Sequence, residues 1–336
     1  MKSKTVLIYI IASLTAALLA TIILLLYLQG KNNEKDKQSI TSSNLTVGTS
    51  SIITPPSEAP IIPNEPSEVS SEEVLPSSTP ASTTPKPEPA PTVSKIGYLD
   101  EETVRYLMTL DNTMRGWGQG VNYDNKNRPV ACITSQENFG KYDALYIMRD
   151  EAKIYLTFVE GYENGDTAQI LDALRDKNVS AVFFVTMPYA KQNPDLIRRM
   201  INEGHVVGNH SSKHLSFPSM SLQDAYNDIN GLHTYIKDNF GYEMTLFRFP
   251  MGQASERMLA LLQKMGYKSL FWSYAYADWD TAKQPDPADS LNKLTTRAHN
   301  GGLYLLHAVS ATNTQILPQF IDNLRNAGYE LATFPQ

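Results

Sequence analysis

The chain has 336 residues and a formal net charge of −6, and its Lys and Arg residues form no basic cluster. A surface without a basic stripe attracts the phosphate backbone poorly, which excludes nucleic acid as an expected partner. The single cysteine, Cys132, excludes an intrachain disulfide.

The first feature along the chain is an apolar run from Thr5 to Leu28 that contains no charged residue. About 24 residues form roughly 36 Å of helix, enough to cross the hydrocarbon core of a bilayer. The run is too long for the apolar part of a secretory signal, and no small-residue cleavage pattern follows it. Residues 1–30 are therefore predicted to be a single-pass membrane anchor. Lysines flank the run in nearly equal numbers, so its orientation must follow from the rest of the chain.

Residues 31–95 are rich in Ser, Thr, Pro and Glu and contain more than half of the chain's 20 prolines. Such a segment buries too little apolar surface to offset the entropy of ordering it, and it is predicted to be a disordered linker. An anchor followed by a tether of this composition is typical of bacterial enzymes that work in the cell wall. This arrangement predicts that the rest of the chain lies outside the cytoplasm.

From residue 96 onward, short apolar runs alternate with helical patterns. The runs are KIYLTFV, SAVFFVTM, HVVGNHS, TLFRFP, KSLFWSY and GLYLLHA, and a short YELATF closes the chain. Repeated strand–helix units favour an α/β fold with a parallel sheet, open or closed into a barrel. About seven units fit an irregular (β/α)7-type barrel, whose active site is expected at the carboxyl ends of the strands.

Residues able to do chemistry stand at or just after these predicted strand ends. They are Glu160, His210, His214, Arg248, Asp278 and His307. Two imidazoles and a carboxylate suit Zn²⁺ or another divalent ion that keeps positions open for water and substrate. One ion is therefore predicted, held by Glu160, His210 and His214, with zinc as the first choice and cobalt or manganese as alternatives.

Three other histidines are not expected to be ligands. His205 begins a predicted strand, and His233 lies in the middle of a predicted helix. His299 precedes Asn-Gly-Gly at a helix end, where a cation is favoured by the helix dipole. Packing and helix-end roles account for all three.

In this order the motifs resemble those of the polysaccharide deacetylases of carbohydrate esterase family four, which carry the NodB homology domain. The five motifs are TFVEG, HSSKH, RFPMG, ADW and LLH. The stretches GYENG, FWSYAYADWD, KQPDP and YLLHAVSATN resemble the branch that deacetylates muramic acid in spore peptidoglycan to form muramic δ-lactam. RGWGQGVNYDNKNRPV resembles the N-terminal extension of that branch. Residues 96–150 are therefore assigned to an extension, and residues 151–336 to the deacetylase domain with its barrel.

The resemblance implies that an acetamido C–N bond is hydrolysed in cell-wall glycan, on N-acetylmuramic acid or N-acetylglucosamine of peptidoglycan. The metal ion would lower the pKa of the attacking water. Arg248 would orient the general base and pair with Asp278. His307 would protonate the leaving amine and stabilise the tetrahedral oxyanion. The sugar groove would be walled by Tyr162, Pro250, Trp279 and Leu305.

The first motif departs from the family pattern, because its general base is replaced by Val159, which cannot accept a proton. The second acid is Glu160 rather than aspartate. Glu160 either binds the metal, which leaves no base, or serves as the base for a metal held by the histidines. Neighbours in a strand point to opposite faces, so only a turn at the strand end could bring both residues to one site. Loss of a positioned base costs roughly 10²–10⁴ in rate.

Two functions follow from this pattern. The first is a membrane-anchored, metal-dependent de-N-acetylase of cell-wall glycan with weak activity. The alternative is a catalytically impaired homologue that acts as a glycan-binding or regulatory wall protein. An unrelated metal hydrolase on a barrel is disfavoured by the five ordered motifs.

Overall fold

The structure is a computed structural model and describes residues 95–335. The predicted membrane anchor and nearly all of the predicted linker lie outside the described residues. Within residues 95–335, no helix is both long enough and apolar enough to cross a membrane.

Strands and helices alternate through the described residues. The strands are β1 Arg115–Gly116, β2 Ala144–Leu145, β3 Lys153–Glu160, β4 Val182–Val185, β5 Val206–Asn209, β6 Leu246–Phe247, β7 Gln253–Ala254, β8 Lys268–Leu270, β9 Tyr274–Ala275, β10 Gly302–His307 and β11 Glu330–Leu331. The α-helices are α1 Glu101–Thr109, α2 Val130–Phe139, α3 Thr167–Asp176, α4 Met187–Gln192, α5 Pro194–Asn202, α6 Leu222–Phe240, α7 Glu256–Lys264, α8 Pro287–Thr296 and α9 Ala311–Asn326.

The main sheet is parallel and has the strand order β2-β8-β6-β5-β4-β3-β10-β9. β11 pairs with the first two residues of β3. The predicted parallel α/β fold is confirmed. Among the strands of residues 95–335, no pairing joins β2 to β9, so the sheet is a half-barrel and the predicted (β/α)7-type barrel does not close.

The two faces of β3 have different neighbours, and this difference positions the site. Ile154, Leu156 and Phe158 belong to the apolar core that includes the helices, whereas Tyr155 packs with the inner face of the sheet. Because side chains alternate along a strand, Val159 is expected on the inner face with Tyr155.

Several helices begin at a polar cap directly after a strand or loop, which fixes where the strand ends lie. Thr186 caps α4 by accepting from the backbone N–H of Tyr189, and Ser255 caps α7 in the same way. Ser310 caps α9, which follows β10. Each cap satisfies a backbone donor that would otherwise be unpaired at the start of the helix.

Candidate active site

A cavity of about 780 Å³ opens at the carboxyl edge of the sheet. The ends of β3, β5, β6 and β10 meet there because parallel strands present their carboxyl ends at the same edge. His210, His214, Arg248 and His307 line the cavity, as does Val159. The structure therefore brings four of the six predicted strand-end residues to one cavity.

His210 and His214 form a pair of imidazoles in the cavity wall, with ring centroids 4.9 Å apart. Nδ1 of His210 lies 2.9 Å from the carbonyl oxygen of Arg248 and must donate to it, which leaves Nε2 without a proton. Burial lowers the pKa of His210 to about 3, so the ring is neutral at pH 7. Burial also lowers the pKa of His214.

The loop between these histidines is held by a residue that the sequence did not single out. Asp228, on α6, accepts hydrogen bonds from the backbone N–H groups of Ser212 at 2.8 Å and Lys213 at 3.1 Å. Ser211 and His214 both have positive φ angles, of 76° and 54°. Such strained backbone persists where the surroundings enforce it. The sequence signal for Asp228 was an acidic residue on the apolar face of an amphipathic helix.

Glu160 does not reach the cavity, and this corrects its predicted place beside the histidines. β3 continues through Glu160, which pairs with Val185, so its side chain lies on the face opposite Val159. The carboxyl is fully buried, with Oε2 3.3 Å from the hydroxyl of Thr167 and no hydrogen-bond partner for Oε1 among the described residues. Burial, reinforced by the charge of Glu163, raises the pKa of Glu160 well above its usual range.

The described residues do not form the predicted three-ligand metal site. Among residues 95–335, no group of three or more His, Cys, Asp or Glu side chains is placed to hold a metal ion. An open catalytic zinc site normally has three protein ligands, whereas His210 and His214 supply two. The unpaired Oε1 of Glu160 lies on the other side of β3. In this structure the third ligand is therefore missing.

Arg248 is fully buried in the cavity floor, but it does not pair with Asp278 as predicted. Its guanidinium donates to the hydroxyl of Thr157 at 2.8 Å and to the carbonyl oxygens of Leu270 and Phe271, both at 3.1 Å. The group also lies over the ring of Phe184, 4.2 Å from its centroid. All of these partners are neutral.

Asp278 pairs instead with His307. Its Oδ1 lies 2.7 Å from Nδ1 of His307, and its Oδ2 accepts from the backbone N–H of His307 and from the side-chain amide of Asn313. Asp278 is fully buried, and His307 lines the cavity. The carboxylate holds the proton on Nδ1, so Nε2 is the nitrogen left for chemistry in the cavity.

Three of the four residues predicted to wall the sugar groove line the cavity, namely Tyr162, Trp279 and Leu305. Tyr162 and Trp279 are about half exposed, as expected for rings that a ligand would cover. Pro250 is buried and does not line the cavity, which corrects that prediction. The next residue, Met251, lines it instead.

Trp272 also lines the cavity, although its sequence pattern gave no sign of it. Its ring approaches Gly252 so closely that a Cβ there would lie 2.7 Å from the ring, and Gly252 has a φ of 65°. The glycine of the RFPMG motif was the only sequence feature that indicated a close approach of a ring to the backbone.

The three histidines that were not expected to be ligands all have partners outside the cavity. Nδ1 of His205 accepts from the backbone N–H of Ala181, and Nδ1 of His233 lies 2.8 Å from the hydroxyl of Tyr267. His299 bonds the hydroxyl of Ser273. None of the three lines the cavity.

The family model for polysaccharide deacetylases matches residues 148–270. An uncharacterized protein of Geobacillus stearothermophilus is 40% identical over 215 residues, which are 63% of this chain and 81% of that protein. The peptidoglycan-N-acetylmuramic acid deacetylase PdaA of Bacillus subtilis is 37% identical over 191 residues, which are 56% of this chain and 73% of the enzyme.

The fold matches a solved structure as well. The structure of Bacillus subtilis PdaA, described as a family 4 carbohydrate esterase, aligns with a TM-score of 0.63 and 34% sequence identity. The alignment covers 66% of this chain and 95% of the PdaA chain.

Proposed function

Because this chain belongs to the polysaccharide deacetylase family, carbohydrate esterase family 4, we propose that it removes acetyl groups from amino sugars of peptidoglycan. The observation that carries the proposal is the hydrogen-bonded pair of Asp278 and His307 at the wall of a cavity large enough for a sugar. The similarity to a muramic acid deacetylase favours N-acetylmuramic acid as the sugar.

In the proposed reaction, water attacks the acetamido carbonyl carbon and the C–N bond then breaks. The imidazolium form of His307, oriented by Asp278, gives its Nε2 proton to the leaving nitrogen. Tyr162 and Trp279 cover the faces of the bound sugar. His307 also lies where it can stabilise negative charge on the tetrahedral oxygen.

The proton of the attacking water has no carboxylate to receive it, since no Asp or Glu among the described residues lines the cavity. Val159 stands at the position of the family's base, and Glu160 faces away. The proposed activity is therefore slow, reduced by roughly 10²–10⁴ relative to a site with a positioned base.

Acetate release tests this function directly. Purified protein is incubated with peptidoglycan and with simpler acetylated glycans, and acetate is measured over hours. We expect slow release from peptidoglycan. No release from any glycan, with intact folding, would contradict the proposed activity.

A second function, glycan binding without turnover, is favoured by the same Val159. The exposed rings of Tyr162 and Trp279 would bind sugar whether or not a base is present. Glycan binding by a protein that releases no acetate, weakened by Trp279→Ala, would favour this function over the first.

Metal binding is proposed on the donor chemistry of two neutral imidazoles. We expect one divalent ion to be bound through His210 and His214, more weakly than at a three-ligand site. His210→Ala should lose the ion, whereas His233→Ala should keep it, because His233 is bonded to Tyr267 outside the cavity. Elemental analysis after dialysis measures the content, and equal content in both variants would place the ion elsewhere.

The cellular location is proposed from the substrate and from the apolar run of residues 5–28. Peptidoglycan lies outside the cytoplasm, so we propose a single-pass membrane protein with its deacetylase domain facing outward. Protease added to intact protoplasts should remove that domain. A domain that stays protected until the cells are lysed would contradict this topology.

A further inference from the structure

The charged side chains that line the cavity are positive. Within residues 95–335, Arg248 and Lys213 line it, together with histidines and tyrosines, but no Asp or Glu does. The chain as a whole is acidic, with a formal net charge of −6. A concave site lined by one sign of charge concentrates ligands of the opposite sign. The cavity is therefore suited to an anion.

The buried cation of this site has no counterion among the described residues. The three acceptors of Arg248 are a hydroxyl and two carbonyls, and no ion pair in the described part of the chain includes it. A guanidinium has five N–H donors, so two remain for a ligand. An arginine guanidinium stays protonated in proteins. A buried charge without a partner is strongly unfavourable, and an anion bound beside it would relieve that cost.

The free donors lie close to Val159. Thr157 and Val159 are two residues apart in β3 and share its inner face, and Thr157 holds one nitrogen of the guanidinium. An anion bound to Arg248 would thus lie next to Val159, at the carboxyl end of β3. Lys213, which is exposed and also lines the cavity, adds a second positive charge.

We propose that the cavity floor is a carboxylate site, in which a carboxylate bound to Arg248 beside Val159 takes over the role of the missing base. The site itself rests on the geometry of Arg248, whereas its catalytic role rests on the proposed function. Two sources share this chemistry. One is a free small carboxylate such as formate or acetate, and the other is the lactyl carboxylate of muramic acid in the glycan.

The bound carboxylate would take part in the reaction without being consumed. It accepts one proton from water as the water oxygen bonds to the acetamido carbon. His307 gives a proton to the nitrogen as the C–N bond breaks, and the products are acetic acid and the free amine. The protonated carboxyl then returns its proton, through solvent, to His307.

Binding is tested on the full chain by thermal unfolding in sodium formate and in sodium chloride at equal ionic strength. Formate at ten times its dissociation constant should raise the melting temperature of the wild-type protein by about 3 °C relative to chloride. Val159→Asp should lose this shift, because its own carboxylate occupies Arg248. Val159→Asn has the same size without the charge and should keep it. Equal shifts in all three proteins, or no shift in the wild type, would contradict the proposed carboxylate site.

Activity distinguishes the two sources of the carboxylate. With N-acetylglucosamine oligomers, which carry no carboxylate, formate should raise the wild-type rate by about 10-fold and leave Val159→Asp unchanged. If the lactyl group is the natural source, glycan strands of muramic acid freed of peptide should react faster than these oligomers without formate. A formate-specific thermal shift combined with no acetate release under any condition would refute the catalytic role and the proposed function but not the site. Acetate release that is insensitive to formate and to the lactyl carboxylate would refute the catalytic role alone.

Discussion

Replacing Val159 with aspartate is expected to raise the rate of deacetylation by about 10- to 1000-fold. Val159 lies on the inner face of β3 and lines the cavity, so a carboxylate at this position would face the bound acetamido group. Arg248, whose known partners are neutral, would hold that carboxylate in its charged form. The gain falls short of the full effect of a general base because the surroundings are packed around a valine. Acetate release at saturating glycan measures the change.

Two controls separate base chemistry from changes in packing. Val159→Asn places a side chain of similar size without a titratable group, and its rate should stay close to that of the wild type. Glu160→Gln should change the rate little in the wild type or in Val159→Asp, because Glu160 lies outside the cavity. A large loss with Glu160→Gln would show that this carboxylate turns into the site. Circular dichroism should confirm that the aspartate variant is folded, since it buries a new charge.

Replacing His307 with glutamine is expected to lower the rate by about 10²–10⁴, the usual effect of a positioned acid. Its Nδ1 is bonded to the buried Asp278, and its ring lines the cavity, so it is the described side chain best placed to protonate the leaving nitrogen. The loss should appear mainly in kcat, because proton transfer occurs only in the transition state. The measurement is best made in the Val159→Asp background, where the starting rate is higher.

The matched control for this variant is His299→Gln. His299 is also buried, but it bonds Ser273 and does not line the cavity. It should lose stability without losing kcat. Asp278→Asn should slow the reaction in the same direction as His307→Gln, because the amide no longer fixes the proton on Nδ1. Full activity in His307→Gln would remove His307 from the reaction.

Much of the fold could be predicted because strand and helix patterns alternate clearly in the sequence. The apolar runs of β3 and β4 are neighbouring parallel strands, as strand–helix repetition predicts. The same logic placed His210, Arg248 and His307 at one edge of the sheet. Whether the sheet closes depends on pairings between distant strands, which local patterns do not encode.

The parts of the site that could not be predicted depend on the direction in which individual side chains point. Whether β3 stops before Glu160 or continues through it decides which face the carboxyl takes, and its pairing with Val185 settles this. Arg248 bonds nearby carbonyl oxygens rather than Asp278, because the strand end at Leu270 leaves acceptors within reach. The sequence predicts neither the face that Glu160 takes nor the partners of Arg248.

The central claim is that this cavity deacetylates peptidoglycan sugars and is limited by Val159. Mass spectrometry of muropeptides after incubation of peptidoglycan with the purified protein tests it most directly. The account predicts slow loss of acetyl groups from an amino sugar with the wild-type protein, faster loss with Val159→Asp, and little loss when His307→Gln is added to that variant. Muropeptides that keep every acetyl group after treatment with both the wild-type protein and Val159→Asp would contradict it.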